Sequence, residues 1–282
     1  MLIKPGDIEY FNTIVKMTSE HQQAERDLES ELQDLFDPAF DDIEELAREE
    51  GIQNSDRINR DTESRLEELL SEYRDILLKY GGIVVMLGAE RAIGQLQQVG
   101  IDVGLVDIED RVMSELENNV FEASQQTLNR MTGDITGLIS EAGKEGLTTD
   151  ELTENLRSKF TNMEEYELQR ISETELHSYN MMSSFEAEME MGVEFHQWIT
   201  AQDEAVRGNR PSDVADHVSL HGQIVRVGEP FSNGLRYPGD KAGSAEEIIN
   251  CRCEEVPYIM PRDKMAPVGQ SYFYEEDLLS RN

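Results

Sequence analysis

The chain has 282 residues, with 59 acidic against 25 basic side chains and a formal charge of −34 at pH 7. That balance excludes general affinity for nucleic-acid phosphate at ordinary salt. No clean apolar run exceeds Ile83 to Leu87, far short of the roughly 18 residues that a membrane-crossing helix needs.

Only seven of the basic residues are lysine. Scarce lysine and abundant carboxylate together suit a medium of molar salt, where the Debye length falls to about 3 Å and self-repulsion is screened. A halophilic setting is therefore expected. Single acidic stretches such as Asp41 to Glu50 read as solvated faces. The first residues lack a charged-then-apolar signal, because Pro5, Gly6 and Asp7 interrupt it, so synthesis in a cytoplasm is expected.

In chain order, Asp37-Pro38 reads as an N-cap with proline in the first turn, and Gly51 as that helix's end. Ser55 opens the next helix, with Ile58, Thr62, Leu66, Leu69, Tyr73, Ile76 and Tyr80 at three-four spacing, ending at Gly81-Gly82. Three glycines leave residues 89 to 106 without a clear assignment. A third helix is expected from about Asp107, with Ile108, Val112, Leu116, Val120, Ala123, Thr127 and Met131 on one face. Thr148 and Glu151 form a capping box, with Leu147 and Leu152 placed as a hydrophobic staple. A second box, Thr161 with Glu164, is expected to open a helix running to Gly192. Its stripe is Leu168, Ile171, Glu175, Ser178, Met182, Phe185 and Met189, in which Glu175 stands out as a carboxylate.

After Gly192 the texture changes. Residues 193–200, 222–228 and 253–259 read as short strands between turn-rich stretches. The expected fold class is α+β: a long, mainly helical N-terminal body followed by a small β-containing C-terminal module. The expected division is a helical region at 1–144 and a module at 145–260, with a long helix at 161–191 and a β-module at 193–260. A tail follows at 261–282.

Within the module an ordered set of residues stands out: Trp198, Asp203, Arg207, His217, Gly222-Gln223, Val225, Glu229-Pro230-Phe231, Tyr237-Pro238-Gly239 and Asn250-Cys251-Arg252-Cys253. This set resembles the phage Mu F-like family, the minor head or head-morphogenesis proteins of tailed viruses. The likeness reaches back through Arg170 to Asn180 and the short helix around Thr148 to Phe160, covering about 145 to 260. His221 departs from the family, which usually has an acidic residue at this position. The resemblance implies a virion component present in few copies, assembled in the host cytoplasm. Its implied partners are the portal protein and other head proteins, with no membrane and with direct DNA binding doubtful except at high salt. It also implies that the protein is not an enzyme. Two other readings compete: a metal-dependent or toxin-like enzyme built on the same module, and a DNA-binding head component.

Cys251 and Cys253 are the only cysteines. On an extended segment, side chains two apart point the same way, which suits one metal gripping two thiolates better than a strained disulfide. His217 and His221, four apart, share one face of a helical turn. Cys251, Cys253, His217 and His221 together make a closed tetrahedral set for a structural zinc. The competing reading is two small buried hydrophobes beside a hydrogen-bonded core histidine. His177 reads as an exposed helix histidine and His196 as a strand histidine. Asp203, Glu204 and Arg207 read as an ion pair bracing a loop. Glu175 needs a cationic partner if buried, and Arg252 or Arg207 is the expected one, since Arg252 must face away from the flanking thiols.

Overall fold

The structure, a computed structural model, describes residues 19–98 and 109–259. It is α+β, with long helices followed by a small antiparallel sheet. The helices are α1 (Ser19–Glu50), α2 (Ser55–Glu68), α3 (Leu70–Gln98), α4 (Glu109–Glu145), α5 (Thr149–Asn162) and α6 (Leu168–Glu190). A π-helical turn, Met163–Glu167, joins α5 to α6. The strands are β1 (Phe195–Ile199), β2 (Ile224–Arg226) and β3 (Glu254–Tyr258), with a one-turn helix α7 (Ala245–Ile248) before β3.

The chain forms two compact units that do not follow the expected break at 144/145. One comprises Ala24–Tyr80 and Glu117–Ser172; the other gathers, among the described residues, 81–98, 109–116 and 173–259, and also takes in residues 19–23. The expected tail at 261–282 lies outside the described residues.

In the first unit, α1 buries Leu28, Leu32, Phe36, Phe40 and Ile43. Phe40 stacks on Phe160 with ring centroids 4.5 Å apart, and Phe36 meets Tyr73 edge-on at 5.7 Å. This packing explains a correction. Pro38 does not begin a helix but lies inside α1; proline removes one helical hydrogen bond, and the aromatic contacts on either side of it outweigh that loss. Gly51 ends the helix as expected, with φ +71°. The Thr148 capping box is present: the Thr148 hydroxyl accepts from Glu151 N–H, and the Glu151 carboxylate accepts from Thr148 N–H. The second expected box is absent, because Thr161 sits within α5 and the chain stays helical to Glu190.

In the second unit, Gly81 and Gly82 do not end a helix; α3 runs through both to Gln98. At Gly88 a Cβ would lie 2.3 Å from the carbonyl oxygen of Asn180, so this position serves close helix approach. There Asn180 Nδ2 donates to Val84 O at 2.9 Å, and the Ser183 hydroxyl donates to Val85 O. Residues 174–188 of α6 are buried on every side, the mark of a central helix rather than a surface one. On α4, the buried face carries Val112 and Leu116. In the first unit it continues through Val120, Ser124, Leu128 and Met131, so Ser124 and Leu128 take the places expected for Ala123 and Thr127. Ile108 lies outside the described residues.

The sheet order is β2-β1-β3, antiparallel throughout. His196 pairs with Val225 on one side and with Pro257 on the other. All five residues of β1 are buried.

Candidate metal centre

Two loops carry the donors. The first descends from Arg207, whose carbonyl oxygen accepts from both His217 N–H (2.9 Å) and Val218 N–H (3.0 Å). The second follows α7: Cys251 N–H donates to Ile248 O at 3.0 Å, after Asn250 turns the chain at φ +53°. The Arg207 guanidinium donates to Ile249 O, so one side chain ties the two loops together. Asn250 N–H in turn donates to the Thr174 hydroxyl on α6 at 3.1 Å.

These ties bring His217, Cys251 and Cys253 into one buried cluster, with their ligand atoms within 4.8 Å of one another. His217 Nδ1 lies 3.4 Å from Cys253 Sγ and 3.7 Å from Cys251 Sγ. Tetrahedral coordination at metal bonds of about 2.3 Å to sulfur and about 2.0–2.1 Å to nitrogen separates such atoms by about 3.5 Å. The donors already stand at coordination spacing. The cysteines are free thiols, not a disulfide. The extended-segment argument holds: both thiols are buried and the intervening Arg252 turns outward to Asp203 Oδ1 at 2.7 Å.

The outer shell fixes the histidine. His217 Nε2 lies 2.8 Å from Glu247 Oε2, and Asn233 Nδ2 donates to the same oxygen at 2.9 Å. A carboxylate accepting Nε2–H leaves the Nδ1 lone pair pointing at the sulfurs, as metal-bound histidines require. Trp198 meets His217 edge-on at 5.4 Å. Together with Leu220, Val225, Phe231 and Leu235 it packs around both cysteines.

Electrostatics agree with thiolate chemistry. Hydrogen bonding from Cys253 holds the Cys251 thiol well below the usual range despite burial, with His177 and His217 adding to the effect. Burial, then the Cys251 charge, pushes Cys253 well above it. Burial disfavours a charged His217, but Cys251 and Glu247 outweigh it and raise its pKa.

His221 does not join the cluster. Only the three-residue turn Val218–Leu220 is helical, and His221 leaves it at ψ 123°. Its Nδ1 accepts from Thr200 N–H at 3.1 Å, and its Nε2 lies 3.1 Å from the Gln202 amide. The four-residue spacing needs a full helical turn, which is missing here. Sequence reasoning instead overlooked His177. It is buried, not exposed, its Nε2 has no hydrogen-bond partner, and it is one of the groups that lower the Cys251 pKa. Its helical position gave no sign of this, because α6 is buried all round only through tertiary packing.

The expected Glu175 pairing is also corrected. Glu175 is buried, but Lys241 Nζ donates to its Oε1 at 2.7 Å and Tyr179 to its Oε2 at 2.8 Å. Arg252 is taken by Asp203 and Arg207 by the Ile249 carbonyl, so neither reaches Glu175. Asp203 accordingly braces its loop through Arg252, not Arg207. His196 does lie on a strand, fully buried, with Nδ1 2.8 Å from Glu255 Oε2 and 3.5 Å from Glu188 Oε2. Burial alone would lower its pKa; the two carboxylates reverse that and raise it to about 9.

In comparisons with family models, curated proteins and solved structures, nothing matches the chain.

Proposed function

We propose that the chain is a minor capsid, head-morphogenesis protein of a tailed double-stranded DNA virus. It docks on the portal protein or other head proteins at the portal vertex or head interior, during assembly or genome delivery, and its C-terminal module is stapled by a structural zinc. The observation that carries this reading is the convergence of Trp198, His217, Phe231, Cys251 and Cys253 on one buried cluster. These residues belong to the ordered set that resembles the Mu F-like proteins, and their spread along the chain is explained if they maintain one metal-stapled core.

His217 Nδ1 and the two sulfurs supply three zinc ligands, and the buried His177 helps hold the Cys251 thiol well below its usual pKa. The apolar packing of Trp198, Leu220, Val225, Phe231 and Leu235 around the buried cysteines favours the structural role over the enzymatic reading. The acidic surface favours protein partners over DNA at ordinary salt. No helix among the described residues is long and apolar enough to cross a membrane.

Quantitative mass spectrometry of purified particles, with elemental analysis of the purified protein, tests the reading. The expected result is a few copies per particle alongside the portal protein, and one zinc per chain. Particles devoid of the protein would overturn the virion assignment.

A further inference from the structure

A second cluster of donors lies elsewhere in the same unit. Glu188 near the end of α6, His196 on β1 and Glu255 on β3 place one ligand atom each within 4.8 Å of one another, all three fully buried. The sheet register explains half of this. His196 pairs with Pro257, so Glu255, two residues before, is its diagonal neighbour on the same face. Glu188 meets them from the last turn of α6, before the chain enters the sheet at Phe195.

The cluster is incomplete as a set of hydrogen bonds. Both oxygens of Glu188, Oε1 of Glu255 and Nε2 of His196 are buried without a partner. Two carboxylates in such a place need two positive charges, and an imidazolium at His196 offers only one. The nearest guanidinium, Arg91, is engaged by Glu254 and by the Met181 sulfur. Phe185 and Phe231 flank the His196 ring at 5.9 and 4.8 Å, which leaves an apolar surround.

We propose that Glu188, His196 and Glu255 form a second metal site, for a divalent transition-metal ion that prefers nitrogen and oxygen donors. One imidazole and two carboxylates suit manganese, iron(II) or zinc, whereas the two thiolates of the other centre select zinc. The spacing fits: metal bonds of about 2.1 Å put neighbouring ligand atoms about 3.0 Å apart in an octahedron and about 3.4 Å apart in a tetrahedron. The observed separations from His196 Nδ1 are 2.8 and 3.5 Å. The ion neutralises both carboxylates and takes up oxygens that otherwise lack partners. Because the site is closed to solvent, the ion enters as α6 and the strands come together, and it fastens the helix to the sheet. This inference is independent of the viral reading and of the zinc centre.

The test is refolding of the full chain with one equivalent of zinc and excess Mn2+, followed by metal analysis and pulsed electron paramagnetic resonance. One tightly held Mn2+ per chain, with hyperfine coupling to an imidazole nitrogen, is expected. Glu188→Gln and His196→Gln are expected to lose the Mn2+ while keeping the zinc and the helical circular dichroism. If either variant fails to fold, the nitrogen coupling in the unaltered protein decides alone. No bound Mn2+ in the unaltered protein, Mn2+ without nitrogen coupling, or binding unchanged in a folded Glu188→Gln would overturn the proposal.

Discussion

Lys241 reaches from the loop before α7 to Glu175 on α6, its Nζ donating to Oε1 at 2.7 Å. One residue pair thus pins the loop-rich module to the buried helix, assisted by the Ser178 hydroxyl, which donates to Gly239 O at 2.6 Å. The Lys241 side chain keeps 22% of its exposure and that of Glu175 only 11%, so the pair is screened on one side alone. Glu175→Gln is expected to destabilise the protein by about 2 kcal/mol, the usual loss for a charge-assisted hydrogen bond left half-made. A double-mutant cycle with Lys241→Met should give clear coupling. The same cycle with Arg252 should give none.

Metal removal separates the histidines. If the module holds the proposed zinc, chelation is expected to lower the melting temperature sharply and expose both thiols to alkylation, because binding of a structural zinc is coupled to folding. Cys251→Ser and Cys253→Ser should lose zinc, and His177→Ala should weaken it. His221→Ala should retain full stoichiometry by elemental analysis. Glu247→Ala is expected to weaken zinc about 10–100-fold through loss of the histidine's outer partner.

Two glycines of α3 should respond oppositely to alanine. Nothing lies within 4 Å of a Cβ built at Gly94, so Gly94→Ala should stabilise by about 0.5–1 kcal/mol through helix propensity. At Gly88 the added carbon meets a backbone carbonyl oxygen, and Gly88→Ala should destabilise the protein by several-fold more than Gly94→Ala stabilises it. Chemical denaturation of the two variants side by side checks the difference.

Asp240 links stability to acid. Burial pushes its pKa up, but Arg236 binds both carboxylate oxygens, at 2.8 and 3.0 Å, and holds it below the usual value of 3.8. A depressed folded-state pKa contributes stability at pH above the unfolded value, and that stability is lost as pH falls through the folded one. Denaturation midpoints should therefore drop below about pH 4, and Asp240→Asn should flatten that part of the profile while lowering stability at neutral pH.

The charge of −34 predicts a salt response. Dilution from molar salt to about 0.1 M lengthens the Debye length from about 3 to about 10 Å and restores carboxylate repulsion. The melting temperature should fall on dilution. A flat or rising value would remove the halophilic expectation.

What the sequence determined by itself was whatever depends on neighbours along the chain. The Thr148 box, the end of α1 at Gly51, the three strands and the common direction of Cys251 and Cys253 all follow from spacings of a few residues, where backbone geometry leaves little choice. Tertiary structure decided the rest. Pro38 and Gly81 break helices in isolation, yet aromatic packing around Pro38 and close helix approach along α3 hold both inside. His217 and His221 share a face only if a full turn forms, and the chain supplies a shorter one, so His221 turns to Thr200. His177 and Lys241 entered their sites from elements whose local pattern says nothing of their surroundings. Burial of α6 on every side is a property of what packs around it, and periodicity, which reports one face at a time, has no term for that.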